Sequence, residues 1–447
     1  MNLNHIKRRI NVFKKNILIF PCGSEIGLEI HRSLKYSTHF NLIGGSSVND
    51  HGKFVYENYI ENIPFHNALN FINSLKKIIA DYKIDAIYPA MDSVAKTLKD
   101  NQQKLGCLII GSSAETTKIC ESKELTYQKL HSVIPTPEIY SSLSRVKTYP
   151  VFIKPNIGYG SRNIFLAENQ NSAQTFLNEK ANIGDFLLCE YLSGEEFTID
   201  CFTDRKGQLR FFAARKRARI SNGISVNTIE TNEYEELFSR YAKAINKELE
   251  LRGAWFFQMK LDQTNAPKLL EVAARLGGSS SLFRGQGVNF ALLSAFDCFD
   301  MDVEILRNKH DVELDRALSS RYRHSINYST LYIDLDDTLI LNNCVNVQAV
   351  SLLFQSINKG KKVVLLTRHK EDLNATLTKH RLTNLFDEII HLREGEKKSA
   401  QIKNFDAIFV DDSFAERLDV STNCNIPTFD CSMIEVLTES FETNLMV

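Results

Sequence analysis

Apolar and polar positions follow two rhythms along this chain. In the first, a short apolar run is followed by a stretch with helical spacing. "NILIFPCGSEIG" (16–27) reads as a strand, a Gly-containing turn and the start of a helix that continues through "LEIHRSL". "NLIGGSS" is a second strand. "FHNALNFINSLKKIIADYK" (65–83) has apolar residues at i, i+3, i+4 and i+7, which predicts a helix, and "IDAIYPAMDS" is a third strand with a polar tip. Strands alternating with helices predict a small doubly wound parallel sheet. The turn between Gly23 and Gly27 lacks the third glycine of a dinucleotide fingerprint, so a ligand loop and a purely structural turn both remain open.

The second rhythm runs from about 115 to 325, where strands come in pairs joined by short polar turns. "YPVFIKP" goes with "RNIFLAEN", "EFTIDCFTD" with "QLRFFAARKRARI", and "GAWFFQMKLD" with "PKLLEVAARL". That pattern predicts antiparallel hairpins interleaved with helices, of which "NEYEELFSRYAKAINKELEL" is one. From 329 the first rhythm returns in "TLYIDLDD", "KKVVLLTRH", "EIIHL", "DAIFVDDS" and "IPTFD". The fold class expected is therefore α/β and α+β, in three domains over 1–114, 115–325 and 329–447. A chain of 447 residues agrees, being too long for one hydrophobic core.

Composition narrows the function classes. Formal net charge is zero, so no global field steers the chain toward nucleic acid or an anionic membrane. Only the first fifteen residues are locally basic, and they read as a tail or strand lead-in. No apolar run is long enough to cross a bilayer, and no signal-peptide core opens the chain. The nine cysteines are odd in number and scattered, without Cys-x-x-Cys, and read as reduced thiols of a cytoplasmic protein.

The chemistry-bearing residues of the middle segment begin with "VFIKPNIGYGSRN" (151–163). Lys154 ends a strand ahead of a loop with Gly158 and Gly160, whose backbone N–H groups can curl around phosphate oxygens. Upstream, Lys123 begins a helix; downstream, a second strand carries Glu196. Gln258 and Glu271 fall on adjacent antiparallel strands, offering oxygen ligands to Mg²⁺.

This order resembles the ATP-grasp superfamily, which includes D-alanine–D-alanine ligase, biotin carboxylase, carbamoyl-phosphate synthase and the purine-biosynthetic carboxylases. The resemblance covers roughly residues 10–325, an N-terminal pre-ATP-grasp α/β domain followed by a two-lobed ATP-grasp domain. It implies ATP and Mg²⁺ as cofactors. Lys123 and Lys154 would contact the phosphates, and the loop from Gly158 through Gly160 and Ser161 to Arg162 would fold over them. Glu190, Tyr191 and Leu192 would face adenine, with Glu196 on the ribose; Gln258 and Glu271 would hold the metal. Arg275, and one of Arg217 or Arg219, would neutralise phosphate charge. The reaction implied is attack of a carboxylate on the γ-phosphate, giving an acyl phosphate that an amine displaces. One departure stands out: many members carry Asn two residues after the metal glutamate, where this chain has Ala273. Two rival readings keep the nucleotide site: a small-molecule kinase, and a non-catalytic ATP-binding scaffold.

The segment "LYIDLDDTLI" (331–340) is an apolar strand ending in Asp334, Asp336 and Asp337. Carboxylates crowded at a strand tip repel one another unless a cation or a reaction needs them. Thr367 ends a later strand, Lys397 and Lys398 precede a helix, and Asp411 and Asp412 end another strand. In a doubly wound sheet such groups meet at the carboxyl ends of the strands, where the aspartates can share Mg²⁺. The constellation is similar to the haloacid dehalogenase (HAD) superfamily over 329–440, mostly phosphatases. It implies a Rossmannoid domain, with Asp334 as nucleophile and Asp336 as general acid/base. Thr367 and Lys398 (Lys397 competing) would hold phosphoryl oxygens, and Asp334, Asp336, Asp411 and Asp412 would lie at the metal. Between Asp337 and Thr367 there is room for a turn and one helix, hence only a minimal cap.

Together these readings imply a bifunctional enzyme acting on a small-molecule carboxylate, an amine and a phosphomonoester, with no nucleic-acid or membrane partner. Ligases of this type are often dimers, so a homodimer is expected. Trp255, Phe256 and Phe257 read as sheet core and His324 as a surface residue. Asp92 is read either as facing a substrate or as a helix N-cap. The run Gly277–Gly278–Ser279–Ser280–Ser281 is read as an anion-binding loop for the acceptor substrate.

Overall fold

The structure, a computed structural model, describes residues 14–158, 162–438 and 441–442. The chain divides into two compact units, 1–318 and 319–447.

The first unit opens with five strands, β1 (Lys15–Phe20), β2 (Phe40–Gly45), β3 (Asn58–Ile60), β4 (Ala86–Pro89) and β5 (Leu108–Ile109), all parallel in the order β3-β2-β1-β4-β5. Helices cover both faces of such a sheet. That is why Ile17, Leu18 and Ile19 are wholly buried in succession and β1 reads as an apolar run. The helix Glu25–Leu34 is N-capped by Ser24, whose hydroxyl accepts the Gly27 N–H at 3.0 Å. A Cβ on Gly27 would sit 2.5 Å from the Cys22 carbonyl oxygen, and one on Gly23 would sit 2.1 Å from the Asp50 side chain. Close packing thus requires both glycines. The helix expected over 65–83 spans Phe71–Asp81 instead. Phe71 and Leu75 reach the core while Phe65 and Leu69 are exposed, so the apolar spacing ran on into a turn that no packing supports.

Next come β6 (Ile139–Tyr140), β7 (Val151–Pro155), β8 (Phe165–Ala167) and β9 (Phe186–Glu190), an antiparallel sheet ordered β6-β9-β7-β8. A six-stranded antiparallel sheet follows. It comprises β10 (Glu196–Thr203), β11 (Leu209–Ser221), β12 (Ile224–Glu230), β13 (Gly253–Leu261), β14 (Pro267–Ala273) and β15 (Glu313–Asp315), ordered β14-β13-β10-β11-β12-β15. All three expected hairpins form.

The helix Glu235–Glu248 buries Phe238, Tyr241, Ala242 and Ile245, at helical spacing, in one cluster with Phe197, Ile199, Trp255, Phe257 and Met259. The Trp255 indole donates to Thr203 Oγ1 at 2.9 Å, as befits a core residue. Because strand side chains alternate, the intervening residues Thr198, Asp200, Gln258 and Glu271 share the other face.

The second unit has a short parallel pair, β16 (Arg323–His324) with β24 (Phe441–Glu442), and a five-stranded parallel sheet. The sheet comprises β17 (Thr330–Ile333), β20 (Lys362–Thr367), β21 (Glu388–His391), β22 (Ala407–Val410) and β23 (Thr428–Phe429), ordered β21-β20-β17-β22-β23. Between β17 and β20 lie only the hairpin β18 (Ile340–Leu341) and β19 (Cys344–Val345) and the helix Val347–Asn358. His324, expected at the surface, is buried, with its ring Nδ1 accepting the Ile326 N–H at 3.2 Å. All nine cysteines are free thiols, and Cys344 is exposed. Among the described residues no helix is long and apolar enough to cross a membrane.

Candidate functional site

In the first unit, Lys154 lies on β7 and is buried. Its ammonium donates to the Tyr127 hydroxyl at 2.8 Å, which donates in turn to the Leu270 carbonyl at 2.6 Å. Lys123 opens the helix Lys123–Leu130, which Ser122 caps, and its ammonium donates to the Gly158 carbonyl at 3.2 Å. Burial holds the Lys123 pKa below the usual lysine range. Lys154 adds to the effect and Glu271 opposes it. A site that crowds two ammonium groups in this way is prepared for a polyanion.

Glu190 ends β9 and grips Lys268 at 2.6 Å. Glu196 opens β10 and is shared by Arg217 (2.7 Å) and Lys260 (2.9 Å). Gln258 and Glu271 are direct cross-strand partners, and Gln258 Oε1 accepts from Arg217 at 3.3 Å. One cavity of about 190 Å³ brings these groups together. Its basic side is Lys123, Lys154, Arg162 and Arg217 with Gly158. Glu190, Tyr191, Leu192, Glu196, Gln258, Lys260 and Glu271 also line it, with Phe152, Ile164 and Leu270 among its apolar residues. Gly160 and Ser161 lie outside the described residues.

A second cavity of about 940 Å³ shares Lys123, Arg217, Gln258 and Glu271 with the first. Arg275 is on its wall, with Nε donating to Asp92 Oδ2 at 2.8 Å. Asp92 is therefore a cavity residue. It does not cap the helix Asp92–Asp100, whose N-cap is Met91. Of the two alternative arginines, Arg217 reaches the cavities, whereas Arg219 is solvent-exposed and pairs with Asp315 at 2.7 Å. Gly277, Gly278 and Ser279 line the larger cavity, and the Ser279 hydroxyl is already engaged, donating to the Ser225 carbonyl at 2.9 Å. Sequence reasoning missed Tyr127, Thr198, Arg215 and Arg316. The period-two alternation of "EFTIDCF" was the one available signal for Thr198.

The oxygen donors fit a hard cation as far as they go: Glu271 supplies one carboxylate, Gln258 a neutral amide oxygen, and Ala273 nothing. Nucleotide oxygens would have to complete such a shell.

In the second unit, the residues at the ends of β17, β20 and β22 converge. Lys398 is buried and bridges Asp334 (2.7 Å) and Asp411 (2.6 Å). Burial pushes the Asp334 carboxyl up to about 6, Lys398 pulling it back and Asp411 adding to the rise. One oxygen each of Asp334, Asp411 and Asp412 lies within 4.8 Å of the others, an all-oxygen set suited to Mg²⁺. Asp336 is outside that group; its carboxylate sits on His369 Nδ1 at 2.9 Å. Thr367 Oγ1 is buried and has no hydrogen-bond partner among the described residues. Lys397 points away and pairs with Asp419 at 3.4 Å, so only Lys398 reaches the aspartates.

Residues 182–318 match the family model described as "ATP-grasp in the biosynthetic pathway with Ter operon". The carbamoyl phosphate synthase arginine-specific large chain of Halalkalibacterium halodurans is 23% identical over 248 residues, 51% of this chain and 22% of that protein. D-alanine–D-alanine ligase of Thermotoga maritima is 29% identical over 108 residues, 23% of this chain and 36% of the ligase. The match to these curated relatives thus spans well under half of their length. Among solved structures, N5-carboxyaminoimidazole synthetase from Staphylococcus aureus complexed with ADP superposes with a TM-score of 0.55 at 15% identity, over 66% of this chain and 80% of that one. The L-amino acid ligase from Bacillus licheniformis gives 0.51 at 16%, over 66% and 75%. Family model, relatives and solved structures coincide: the matched part of this chain, about two thirds of it, has the fold of these ATP-grasp proteins.

Proposed function

We propose that the chain is a bifunctional enzyme. Its first unit ligates a carboxylate to an amine at the expense of ATP, and its second hydrolyses a phosphomonoester. The proposed layout is a pre-ATP-grasp domain over 1–114, an ATP-grasp domain over 115–325 and a HAD-like domain over 329–447. The protein works in the cytoplasm as a homodimer on small molecules. The observation that carries the ligase reading is the single cavity that joins Lys123 and Lys154 to Gln258 and Glu271.

In this reading Lys123 and Lys154 hold phosphate oxygens, and Glu196 the ribose. Tyr191 and Leu192 offer backbone and apolar surface to the base. Glu271 and Gln258 would hold Mg²⁺, which supplies charge compensation for the transferring phosphoryl group. Arg217 and Arg275 orient the carboxylate and balance the charge of the acyl phosphate. The amine nitrogen then bonds to the acyl carbon, phosphate leaves with the bonding electrons, and the nitrogen loses a proton. In the second unit Asp334 attacks phosphorus, while Asp336 protonates the leaving oxygen and later activates water. Lys398 and Thr367 hold the phosphoryl oxygens.

Calorimetry with a non-hydrolysable ATP analogue and Mg²⁺, followed by mass spectrometry of products from carboxylate–amine mixtures, tests the ligase. An amide is expected; a phosphorylated small molecule with no amide would replace the ligase by a kinase. Phosphate release from simple phosphomonoesters, lost in Asp334→Asn, tests the second unit.

A further inference from the structure

The larger cavity holds more than an activated carboxyl group requires. Its floor is the polar face of the six-stranded sheet, and the register sets a row of side chains across four strands. Arg215 on β11 is paired with Thr198 on β10, Thr198 with Gln258 on β13, and Gln258 with Glu271 on β14. The Gln258–Glu271 end belongs to both cavities and so to the nucleotide. The Arg215–Thr198 end lines the larger cavity alone.

Two buried donors at that end are left over. Arg215 is 3% exposed and Thr198 1%. Arg215 Nε donates to Asp200 Oδ2 at 2.6 Å, which offsets its charge, yet Nη1 has no hydrogen-bond partner among the described residues. The Thr198 hydroxyl has none either. An unpaired buried donor costs roughly 1–3 kcal/mol, and the cost is larger for a charged one. Two together beside open volume are a site waiting for acceptor oxygens. Glycine at 277 keeps the approach clear: a Cβ there would stand 2.9 Å from Asp200 Oδ1 and 3.5 Å from Arg215 Nη2.

Because Asp200 already offsets one charge, the pair suits a monoanion with two oxygens better than a phosphate dianion. The same cavity carries a second kind of group, Asp92 and Glu121. Burial lifts the Glu121 carboxyl above its usual range, with Lys96 opposing and Asp92 and Asp100 adding to the rise, so a cation is favoured beside it.

We infer that the larger cavity takes an amino acid as the amine partner, its free carboxylate docked on Arg215 Nη1 and Thr198 Oγ1 and its ammonium end toward Asp92 and Glu121. The inference rests on the nucleotide reading above and adds the substrate class. It fits an amine that loses its proton in the site and reaches the acyl phosphate from the side away from Lys154.

The test uses the full chain with ATP and Mg²⁺, measuring ADP release with the standard amino acids, L and D, singly and in pairs, against their α-carboxamides. At least one amino acid is expected to stimulate release, with kcat/KM about tenfold or more above that of its amide. Thr198→Val, which leaves the Arg215–Asp200 ion pair intact, and Arg215→Lys are expected to narrow that gap to about threefold or less. Binding of the ATP analogue by calorimetry should stay unchanged in both. Should Arg215→Lys fail to fold, Thr198→Val decides alone. Intact nucleotide binding with no amino-acid stimulation, with amides as good as acids, or with the gap surviving Thr198→Val, overturns the subsite alone. Absent nucleotide binding in the wild type overturns the reading beneath it as well.

Discussion

The two charged centres of this molecule are built in opposite ways. In the second unit, Asp334, Thr367 and Asp411 stand at or just beyond the ends of parallel strands, and Lys398 opens a helix beside them. A parallel sheet gathers whatever follows its strands at one edge, so the cluster arises from strand direction alone. In the first unit, Arg215, Thr198, Gln258 and Glu271 lie along the middle of antiparallel strands and meet only because the register aligns them. The charge balance differs too. The aspartate cluster holds one lysine against two buried carboxylates, whereas in the smaller cavity of the first unit two cations, Arg217 and Lys260, share one carboxylate, Glu196. A site at strand ends tolerates changes of register; a site on a sheet face does not.

The sharpest break in this comparison is Asp334→Asn. Phosphomonoester hydrolysis should fall by at least about a thousandfold, the scale of losing a nucleophile. ADP release at the first unit should be unchanged, and equal loss of both would refute the independence of the two centres.

Lys398→Met comes next. It strands two buried carboxylates, and breaking one side of a buried pair costs about 3–5 kcal/mol. In calorimetric melting, the transition of the second unit should drop while that of the first stays put. The effect should also depend on pH. Burial holds the folded Asp334 carboxyl at about 6, above the ordinary 3.8, so the folded unit binds the extra proton between those values. Stability from this group is present at acid pH and lost as pH rises through about 6, and without Lys398 that loss should deepen. A penalty as large at pH 4.5 as at pH 8 would contradict this assignment.

Lys154→Ala should weaken the ATP analogue by about 2–3 kcal/mol, roughly thirty- to 150-fold. Titration calorimetry reads this directly, and an unchanged Kd would remove Lys154 from the phosphate site. The smallest effect belongs to Arg219→Ala. Its ion pair is solvent-exposed, so both stability and turnover should stay within about 0.5 kcal/mol. A large loss would show that the bulged strand β11 presents a different arginine than its register indicates.

Much of this was legible because each signal was local. The strand-end position of Lys154, the pairing of "GAWFFQMKLD" with "PKLLEVAARL", and the aspartates following "LYI" all follow from short apolar runs and what terminates them. The misreadings have a common cause as well. Phe65 and Leu69 continue a helical spacing that no core receives, and His324 is polar yet buried, because burial depends on what packs from elsewhere in the chain. For Asp92 the choice between a cap and a substrate-facing group stayed open until Arg275, 183 residues away, claimed its carboxylate.

The amino-acid sequence by itself determined the alternation of elements, the lysine and glycine at the end of β7, and the crowding of carboxylates after β17. These depend on neighbours within a turn or a strand. Tertiary structure alone decided which arginine enters the cleft, that Lys398 and not Lys397 meets the aspartates, and that Arg215 and Thr198 are buried with donors to spare. Those outcomes turn on strand register and on the direction a side chain leaves its helix or strand, and residues far apart in sequence settle both.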